Sequence, residues 1–539
     1  MKALTAAEMQ EVDRLTTERY GVPGQQLMEN AGKSVADELF SQYNRRMTEP
    51  PARVAVLCGK GNNGGDGFVV GRYLKEEVDE VRVYLFAKVE ELRGDAARNF
   101  ERWKEMGGGV TVIQSTADWD KAWAEVSASD IIIDAMLGTG IRGPATGLIA
   151  QAIDDVNRIS GNATAARPAW VIAVDTPSGL PSDGEAAGGP VVKAHWSVTF
   201  TAPKVGQLIS PQAGCCGQLV VKHIGSPAGL IEETGKGMLR WAGPDEFAGM
   251  PLIRAAESHK GTFGHLLVLA GSVGKTGASV LAGQAALRGG AGLVTIATPE
   301  PDLPIIAAAQ AEYMTEPLAA TAKGSFSMQA VRTGHLAQIL KGITTLAIGP
   351  GVGRHPETQE FLRHVVLDTD LPMVLDADGL NAFAGDGQLL EKKKTKALVI
   401  TPHPGEMARL LGQTIAEVQK DRVKTASEAA KKWNVVVVLK GYHSIIAGPR
   451  GEVFVNTTGN PALAKGGSGD VLTGLLGALI AQFGAQDLPR VVALGVYLHG
   501  LAADLLSEST DASGVLAGEV AHAIPFARRR LLQELQASD

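Results

Sequence analysis

The chain has 539 residues, too many for one ordinary hydrophobic core, so we expect two or more domains. Its 51 Lys and Arg against 58 Asp and Glu give a net charge of −7, which argues against nucleic acid as the main partner. The three cysteines include no CxxC pair, the first residues are charged throughout, and the longest apolar stretch, 472–483, is too short to span a bilayer. We therefore expect a cytoplasmic enzyme without a membrane segment.

The first part of the chain alternates between helical and strand-like segments. Residues 5–42 predict helices around the turn YGVPG, and 90–106 and 144–159 predict amphipathic helices. Short apolar, β-branched runs predict buried parallel strands at 53–59, 81–87, 130–138, 170–179 and 196–204. This alternation predicts a Rossmann-like, doubly wound α/β domain over residues 1–225.

The stretch 224–250 contains Gly, Pro and charges without a sustained hydrophobic period, so we place the domain boundary there. Beyond it the alternation resumes, with helices at 276–290 and 471–482. Strands are predicted at 265–271, 292–299, 344–351, 372–379, 397–406 and 434–441. Residues 226–539 are therefore predicted to form a second α/β domain, and no simple repeat relates it to the first.

The motif GNNGGDG (61–67) lies between a predicted strand and a predicted helix. Free amides at a helix start favour an anion, while the oxygens of Asn62 and Asn63 favour a hard cation. The motif is not a dinucleotide-binding fingerprint, because asparagines and an aspartate interrupt the loop. Taken alone, it fits a plain tight turn about as well as a ligand site.

Polar residues also follow two other predicted strands. Asp134 precedes a glycine loop at 138–144, and Asp175 is followed by Ser178. Ligands of open parallel sheets bind where the strands end, so these loops predict a common site. Each aspartate could instead be a helix N-cap, which explains the two together less well.

The motifs GNNGGDG, DAMLGTG and VDTPSGL, in this order, resemble the YjeF N-terminal family, the epimerase of hydrated NADH and NADPH. The resemblance covers about residues 1–225. It implies that Asp175 contacts the nicotinamide end, and that Asn63, Asp134 and Ser178 bind K⁺. The residues implied to line the hydrated nucleotide are Asn62, Asn63, Gly64, Gly65, Asp66, Gly138, Thr139, Gly140, Ile141, Arg142, Gly143 and Pro144.

In the second domain, GGSGD (466–470) opens a clearly apolar helix. Its amides can receive a developing negative charge, and Asp470 can act there as a general base. A simple N-cap role for Asp470 leaves the preceding glycines and serine unexplained. We therefore predict a catalytic site at this helix start.

Three further loops lie near predicted strand ends. GSVGKTGA (271–278) is not a Walker A loop, because that motif needs glycine at the position of Leu269, so we expect a strand-to-helix loop beside the substrate. A lone histidine is usually structural. His403, however, lies at a predicted strand end, where two flanking prolines fix its backbone, and Glu406 follows three residues later. LKGYHS (439–444) ends a strand and could hold a nucleotide.

GSVGKTGA, GPGVG, DADGLNA, TPHPGEMARL, LKG and NPALAKGGSGDVLTG resemble, in order, the YjeF C-terminal family, the nicotinamide-nucleotide hydrate dehydratase of the ribokinase-like superfamily. The resemblance spans about 240–539. It implies that Ala278, Gly351, His403 and Asp470 face the hydrate, with ADP as nucleotide and Mg²⁺ at its phosphates. The residues implied to bind the nucleotide are Lys440, Gly441, Tyr442, His443, Ser444, Gly466, Gly467, Ser468 and Gly469.

Together the two resemblances imply a bifunctional repair enzyme whose first domain epimerises R and S hydrates of NADH or NADPH and whose second dehydrates the S form. We also expect a homo-oligomer with small-molecule substrates. The alternative is a ribokinase-like small-molecule kinase fused to a nucleotide-binding module, because ribokinase relatives share the glycine–aspartate loop.

Overall fold

The computed structural model describes residues 1–46, 51–141, 143–160 and 169–538. The chain divides into two compact units, an N-terminal unit, Met1–Leu239, and a C-terminal unit, Arg240–Asp539. Both are α/β, so the predicted fold class is confirmed.

Seven strands among the described residues of the N-terminal unit form one parallel sheet in the order β3-β2-β1-β4-β5-β6-β7. They are β1 (Arg53–Cys58), β2 (Glu80–Leu85), β3 (Val110–Val112), β4 (Ile131–Ala135), β5 (Trp170–Val174), β6 (Trp196–Phe200) and β7 (Gln218–Lys222). The helices are α1 (Ala6–Tyr20), α2 (Gly24–Arg46), α3 (Asn62–Leu74), α4 (Gly94–Glu105), α5 (Thr116–Val126), α6 (Gly147–Ser160), α7 (Val205–Ile209) and α8 (Ala228–Thr234). The strand order reverses between β1 and β4, where doubly wound sheets bind their ligands.

The apolar runs form buried strands because helices cover both faces of this sheet. Val54 and Val56 of β1 pack in one hydrophobic cluster with Phe68 of α3. Ala55 and Leu57 point the other way, into a cluster with residues of α5 and α6. A strand buried on both faces reads as a continuous apolar run, which is why the sequence revealed it.

The sheet of the C-terminal unit has the order β11-β10-β9-β12-β13-β14-β15-β16-β17-β8 among the described residues. Its strands are β8 (Leu239–Trp241), β9 (His265–Leu269), β10 (Leu293–Pro299), β11 (Met314–Leu318), β12 (Thr345–Ile348), β13 (Met373–Leu375), β14 (Leu398–Ile400), β15 (Val436–Leu439), β16 (Ser444–Ala447) and β17 (Val453–Asn456). The strands from β9 to β15 pair in parallel, whereas β16 pairs antiparallel with both β15 and β17. This mixed sheet is the predicted ribokinase-like domain.

The helices of the C-terminal unit are α9 (Thr276–Gly289), α10 (Leu303–Ala309), α11 (Gln329–Arg332), α12 (His335–Ile339), α13 (Pro356–Asp368), α14 (Asp378–Asn381), α15 (Pro404–Leu411), α16 (Ile415–Lys420), α17 (Arg422–Trp433), α18 (Ser468–Phe483), α19 (Leu488–Ser507) and α20 (Ala517–Ser538). By length and composition alone, α19 is apolar enough to cross a membrane. Because 67% of its apolar window is buried inside the structure, we describe it as a core helix, with Val492 and Leu494 in the main hydrophobic cluster.

Candidate active sites

A cavity of about 820 Å³ lies in the N-terminal unit, at the carboxyl ends of β1 and β4. Eight of the sequence-predicted residues line it: Asn62, Asn63, Asp66, Gly138, Thr139, Gly140, Ile141 and Asp175. Gly64 and Gly65 are buried in the first turn of α3, and neither they nor Gly143 and Pro144 are among the lining residues. Arg142 lies outside the described residues.

The glycines of this loop allow close backbone packing. A β-carbon on Gly64 would lie 1.8 Å from the carbonyl oxygen of Gly59, and one on Gly59 would lie 1.9 Å from that of Met136. Only glycine fits at either position without moving the backbone. The loop after β1 therefore packs directly against the loop after β4. This packing places the start of α3 at the cavity.

Asn63, Asp134 and Ser178 come together around the backbone of Leu137. Ser178 Oγ donates to Asp134 Oδ1 at 2.5 Å, and Ser178 N donates to Asp134 Oδ2 at 2.8 Å. Leu137 N donates to Ser178 Oγ at 2.8 Å, and Asn63 Nδ2 donates to Leu137 O at 2.9 Å. Three side chains from separate strand ends thus form one buried polar cluster.

This cluster contains an oxygen without a donor. Within the part of the chain that the structure describes, the buried Asn63 Oδ1 accepts no hydrogen bond. Burial raises the pKa of Asp134 to about 6, while its hydrogen bonds from Ser178 and Met136 lower it. No group of three or more His, Cys, Asp or Glu among the described residues is placed to hold a metal ion, so any ion here would rely on amide, hydroxyl and carboxylate oxygens together.

Asp175 follows β5 in the left-handed backbone region, with φ of 59°. Its carboxylate accepts a hydrogen bond from Thr199 Oγ1 at 2.8 Å and forms an ion pair with Lys204, whose side chain is 1% exposed. Gln207 Nε2 donates to the Asp175 carbonyl oxygen at 2.8 Å. Such a backbone conformation persists only where its surroundings fix it, as these contacts do.

Two residues of this site were not predicted from the sequence. Lys204 follows β6 in the stretch TAPK, and Asp13 lies on α1; both line the cavity. Burial raises the pKa of Asp13 to about 6; Lys204 lowers it and Asp175 raises it. A signal for Asp13 was present, because it falls on the buried face of α1 one turn from Met9 and Thr16.

In the C-terminal unit, Asp470 lies in the first turn of α18, next to the ends of β13 and β15. Burial and the neighbouring Asp376 carboxylate raise the pKa of Asp470 to about 7, while Lys440 lowers it. A β-carbon on Gly469 would lie 3.4 Å from Asp376 Oδ2 and 3.6 Å from Lys440 Nζ. The glycine loop is thus packed directly against this charged pair.

Asp376, which was not predicted as a site residue, organises the charges around Asp470. Its Oδ1 contacts Lys440 Nζ at 2.7 Å and its Oδ2 accepts from Thr473 Oγ1 at 2.8 Å. Lys440 Nζ also lies 3.8 Å from Glu406 Oε2. The resulting network joins the ends of β13 and β15 to α15 and α18.

His403 caps α15 and contacts this network through Glu406. Its Nδ1 accepts from Gly405 N at 3.0 Å, and its Nε2 lies 3.5 Å from Glu406 Oε1. Burial lowers the pKa of His403, which therefore keeps a neutral ring near pH 7. Its half-exposed side chain is free to face a ligand on the solvent side.

Ala278 and Gly351 lie next to each other where the strand order of the second sheet reverses, between β9 and β12. A β-carbon on Gly351 would lie 2.9 Å from Ala278 Cβ, and Ser272 Oγ donates to Gly351 O at 2.7 Å. The segment 271–278 connects β9 to α9, as expected of a strand-to-helix loop.

The segment Lys440–Ser444 joins β15 to β16. Tyr442 is 60% exposed and stacks on the ring of His443 with centroids 4.1 Å apart. Gly441 N donates to Ser444 Oγ at 3.3 Å. The other predicted nucleotide-binding residues lie at the start of α18. Gly466 and Gly467 precede the helix, which begins at Ser468, and Gly467 is its N-cap with φ of 95°.

Comparison with known proteins assigns both units. A family model described as YjeF-related protein N-terminus matches residues 24–206, and a model described as NAD(P)H-hydrate dehydratase matches residues 266–526. The bifunctional NAD(P)H-hydrate repair enzyme of Moorella thermoacetica is 40% identical over 541 residues, covering 99% of this chain and 98% of that protein.

The Escherichia coli enzyme of the same name is 33% identical, covering 96% of this chain and 92% of that protein. An ADP/ATP-dependent NAD(P)H-hydrate dehydratase from Bacillus subtilis, co-crystallized with ATP/Mg²⁺, is 34% identical with a TM-score of 0.45, covering 54% of this chain and 98% of that structure. The two family models and the two full-length relatives define an enzyme class with two α/β domains.

The chain belongs to the family of bifunctional NAD(P)H-hydrate repair enzymes. The two family models and the full-length relatives confirm the expected function, an epimerase domain followed by a nucleotide-dependent dehydratase domain. The dehydratase model over residues 266–526 also favours this function over the alternative of a small-molecule kinase.

Proposed function

We propose that the N-terminal unit interconverts the R and S epimers of NAD(P)H hydrate and that the C-terminal unit dehydrates the S epimer with ADP as phosphate donor. The observation that carries the proposal is the position of Asp470 at the start of α18, beside Lys440 and Asp376. A carboxyl group whose pKa lies near 7 is suited to general-base catalysis at neutral pH.

In the C-terminal unit, Asp470 takes the proton of the hydroxyl on carbon 6 while that oxygen attacks the terminal phosphorus of the nucleotide. The bond from phosphorus to the bridging oxygen breaks and the shortened nucleotide leaves. The amides of Gly466–Gly469 face the developing charge at the helix start. The ring then expels phosphate and loses a proton from carbon 5, which restores the double bond.

The remaining residues of the C-terminal unit have supporting roles in this proposal. Ala278, Gly351 and His403 face the hydrate, while Lys440–Ser444 and Gly469 hold the nucleotide. Mg²⁺ at the nucleotide phosphates would screen their charge during transfer. Lys440 suits a phosphate-binding role because it ends β15 beside the glycine loop.

In the N-terminal unit, the cavity holds the hydrated nucleotide with Asp175 at the nicotinamide end. Epimerisation proceeds through ring opening or transient loss of the hydroxyl, and Asp175 takes part in relaying the proton. The cavity volume of about 820 Å³ is large enough for a dinucleotide portion, and its walls include the loops after β1 and β4.

The oxygens around Leu137 fit K⁺. The buried Asn63 Oδ1 accepts no hydrogen bond from any described residue, and the Asp134 carboxylate supplies the one negative charge. Asn63, Asp134 and Ser178 would hold the ion, which would supply positive charge beside the nucleotide. A weakly charged oxygen set suits a monovalent cation better than a divalent one.

The experiment incubates a mixture of R and S hydrates with the full-length protein and follows each epimer by chromatography. With ADP, both epimers should disappear as reduced nucleotide forms; without nucleotide, they should only interconvert. Replacing K⁺ by Na⁺ should slow interconversion and leave dehydration of the S epimer unchanged. Accumulation of a phosphorylated product would instead support a kinase. Running the assay with ATP in place of ADP identifies the donor.

We further propose that the enzyme acts in the cytoplasm and forms a homo-oligomer. The first proposal is supported by the cysteines, which form no disulfide among the described residues. Light scattering of the purified protein tests the second.

A further inference from the structure

Lys204 has no proton available for a ligand in the epimerase cavity. Its Nζ contacts Asp175 Oδ1, Thr199 Oγ1 at 2.8 Å and Phe200 O at 3.2 Å. An ammonium group has three N–H donors, so these contacts within the described chain use all of them. The lysine therefore serves as a fixed positive charge.

Asp175 is held through one of its two carboxylate oxygens. Its Oδ1 accepts from Lys204 and Thr199, and Phe200 N lies within 3.4 Å of the same oxygen. All of these contacts are made by the same carboxylate oxygen, so the other oxygen of Asp175 can place negative charge beside a bound ring.

Asp13 differs from both residues. It lines the same cavity from α1, and its buried Oδ1 accepts no hydrogen bond within the described part of the chain. Buried carboxyl oxygens without a donor are rare, which indicates a partner that arrives with the substrate. The charged or titratable groups that influence Asp13 are Lys204, after β6, and Asp175, after β5.

A third carboxyl group, Asp66 of α3, also lines this cavity. Burial, Asp175 and Asp13 raise the pKa of Asp66 well above its usual range, while Lys204 lowers it. Among the other carboxyl groups that line the cavity, Asp175 pairs with Lys204, Glu91 with Lys60 and Asp95 with Arg98, whereas Asp13 has a buried oxygen without a hydrogen-bond donor in the described chain. Burial raises its pKa to about 6, close to the working pH.

We propose that Asp13 is the acid–base residue of the epimerisation, an inference that rests on the function proposed for the N-terminal unit. Protonated Asp13 gives its proton to the hydroxyl oxygen on carbon 6. The carbon–oxygen bond breaks with its electron pair on the departing water, and the nitrogen lone pair forms a double bond to carbon 6. Asp175 stabilises the cationic ring.

Water then adds to carbon 6 from the opposite face. The electron pair of the nitrogen–carbon double bond returns to nitrogen, and the excess proton of the added water passes back to Asp13. Atoms and charges balance over the cycle, and no oxidant or reductant is required. The same enzyme form is regenerated, as an epimerase requires.

The test uses full-length Asp13→Asn and Asp13→Glu, with Asp37→Asn on the exposed face of α2 as the matched control. The substrate is the purified R epimer of NADH hydrate, with ADP present so that each S epimer formed is dehydrated and read as NADH absorbance. Asp13→Asn should slow R conversion by about 100-fold or more, the usual contribution of a general acid–base group. Asp37→Asn should match the wild type.

Controls separate a chemical role from a structural one. Asp13→Asn should dehydrate the S epimer at the wild-type rate and keep the thermal transition of the wild type, and Asp13→Glu should recover part of the R conversion. Wild-type kcat/KM for the R epimer should fall as pH rises above about 6, because the reaction starts from protonated Asp13, and this step should be absent in Asp13→Asn.

One result would contradict the role of Asp13, and a different result would contradict the function proposed for the N-terminal unit. If the wild type converts the R epimer and Asp13→Asn does so equally fast, or keeps the pH step, Asp13 is not the acid–base residue. If the wild type dehydrates the S epimer but leaves the R epimer unchanged, the function proposed for the N-terminal unit is wrong.

Discussion

At the scale of single residues, each site combines a fixed ion pair with a carboxyl group of raised pKa. Asp376 and Lys440 form the pair beside Asp470, and Asp175 and Lys204 form the pair beside Asp13. Burial raises the pKa of Asp470 to about 7 and that of Asp13 to about 6. In both sites a carboxyl group of raised pKa therefore lies beside an ion pair.

Asp470 gives the dehydratase a defined pH dependence. A general base must be deprotonated, so kcat/KM for the S epimer should fall about tenfold per pH unit below about pH 7 and level off above it. Asp470→Asn should reduce the rate by about 100-fold or more, whereas Asp370→Asn, at an exposed position before β13, should not. The rate at which NADH absorbance forms, measured across the pH range, gives both the pH profile and the effect of each substitution. A flat profile in the wild type would remove Asp470 as the base.

Lys204 should be essential for the stability of the N-terminal unit. Lys204→Met leaves the Asp175 carboxylate without its partner in a buried site, which typically costs about 3–5 kcal/mol. Lys60→Met, which breaks an exposed pair with Glu91, should cost at most about 1 kcal/mol. Urea denaturation followed by tryptophan fluorescence measures the difference, since most tryptophans of the chain lie in this unit. Equal costs would contradict the role of the buried pair.

Which site residues could be found from the sequence depended on their neighbours. Asp134, Asp175 and Asp470 stand next to apolar runs and glycine loops, so their positions at strand or helix ends could be read directly. Asp13 lies on an amphipathic helix without a glycine loop beside it, and the charged groups that shift its pKa, Lys204 and Asp175, lie more than 150 residues further along the chain. Asp376 was visible as a strand-end aspartate, but only the structure shows its contact with Lys440.

At the scale of elements, both sites lie at the carboxyl ends of strands, where helices begin. The strands that cross the sheet centres were predicted, because burial on both faces gives continuous apolar runs. Among those missed, β3 has no fully buried residue, and β7 lies at a sheet edge with several partly exposed side chains. The antiparallel strands β16 and β17 were also missed.

The packing of α3 on the loop after β1 can be tested at Gly64. Because a β-carbon there would lie 1.8 Å from Gly59 O, Gly64→Ala should displace the loop, lower stability by about 1–3 kcal/mol and reduce R-epimer conversion at least tenfold. Gly109→Ala, before β3 and not among the cavity residues, is the control, since no described residue beyond its chain neighbours lies within 4 Å of its β-carbon. Melting temperature and R-epimer conversion report the two effects. Equal behaviour of the two variants would contradict the packing constraint.

At the scale of the whole molecule, the described residues of each site fall within one unit. The cavity residues lie within Met1–Leu239, and the Asp470 network lies within Arg240–Asp539. The domain boundary expected at 225/226 falls before α8, whereas the compact units meet at 239/240.

The two activities should therefore be separable by single substitutions. Asp175→Ala should abolish conversion of the R epimer and leave S-epimer dehydration within about twofold, as expected for independent sites. Asp470→Asn should abolish dehydration while R and S still interconvert. Chromatographic separation of the epimers, with and without ADP, measures both rates in each variant. Loss of both activities from either substitution would show that the units depend on each other.

The position of α8 has a consequence for the order in which the chain is made. Leu230 and Ile231 of α8 pack with Met9, Val12 and Leu15 of α1, the helix that carries Asp13. During synthesis α1 emerges early, but α8 follows more than 200 residues later, about 10 to 40 s at ordinary rates of translation. For that interval the apolar face of α1 lacks its packing against α8. The helix that supplies the epimerase with its proton is thus among the first segments synthesised and, within the N-terminal unit, among the last to complete its native packing.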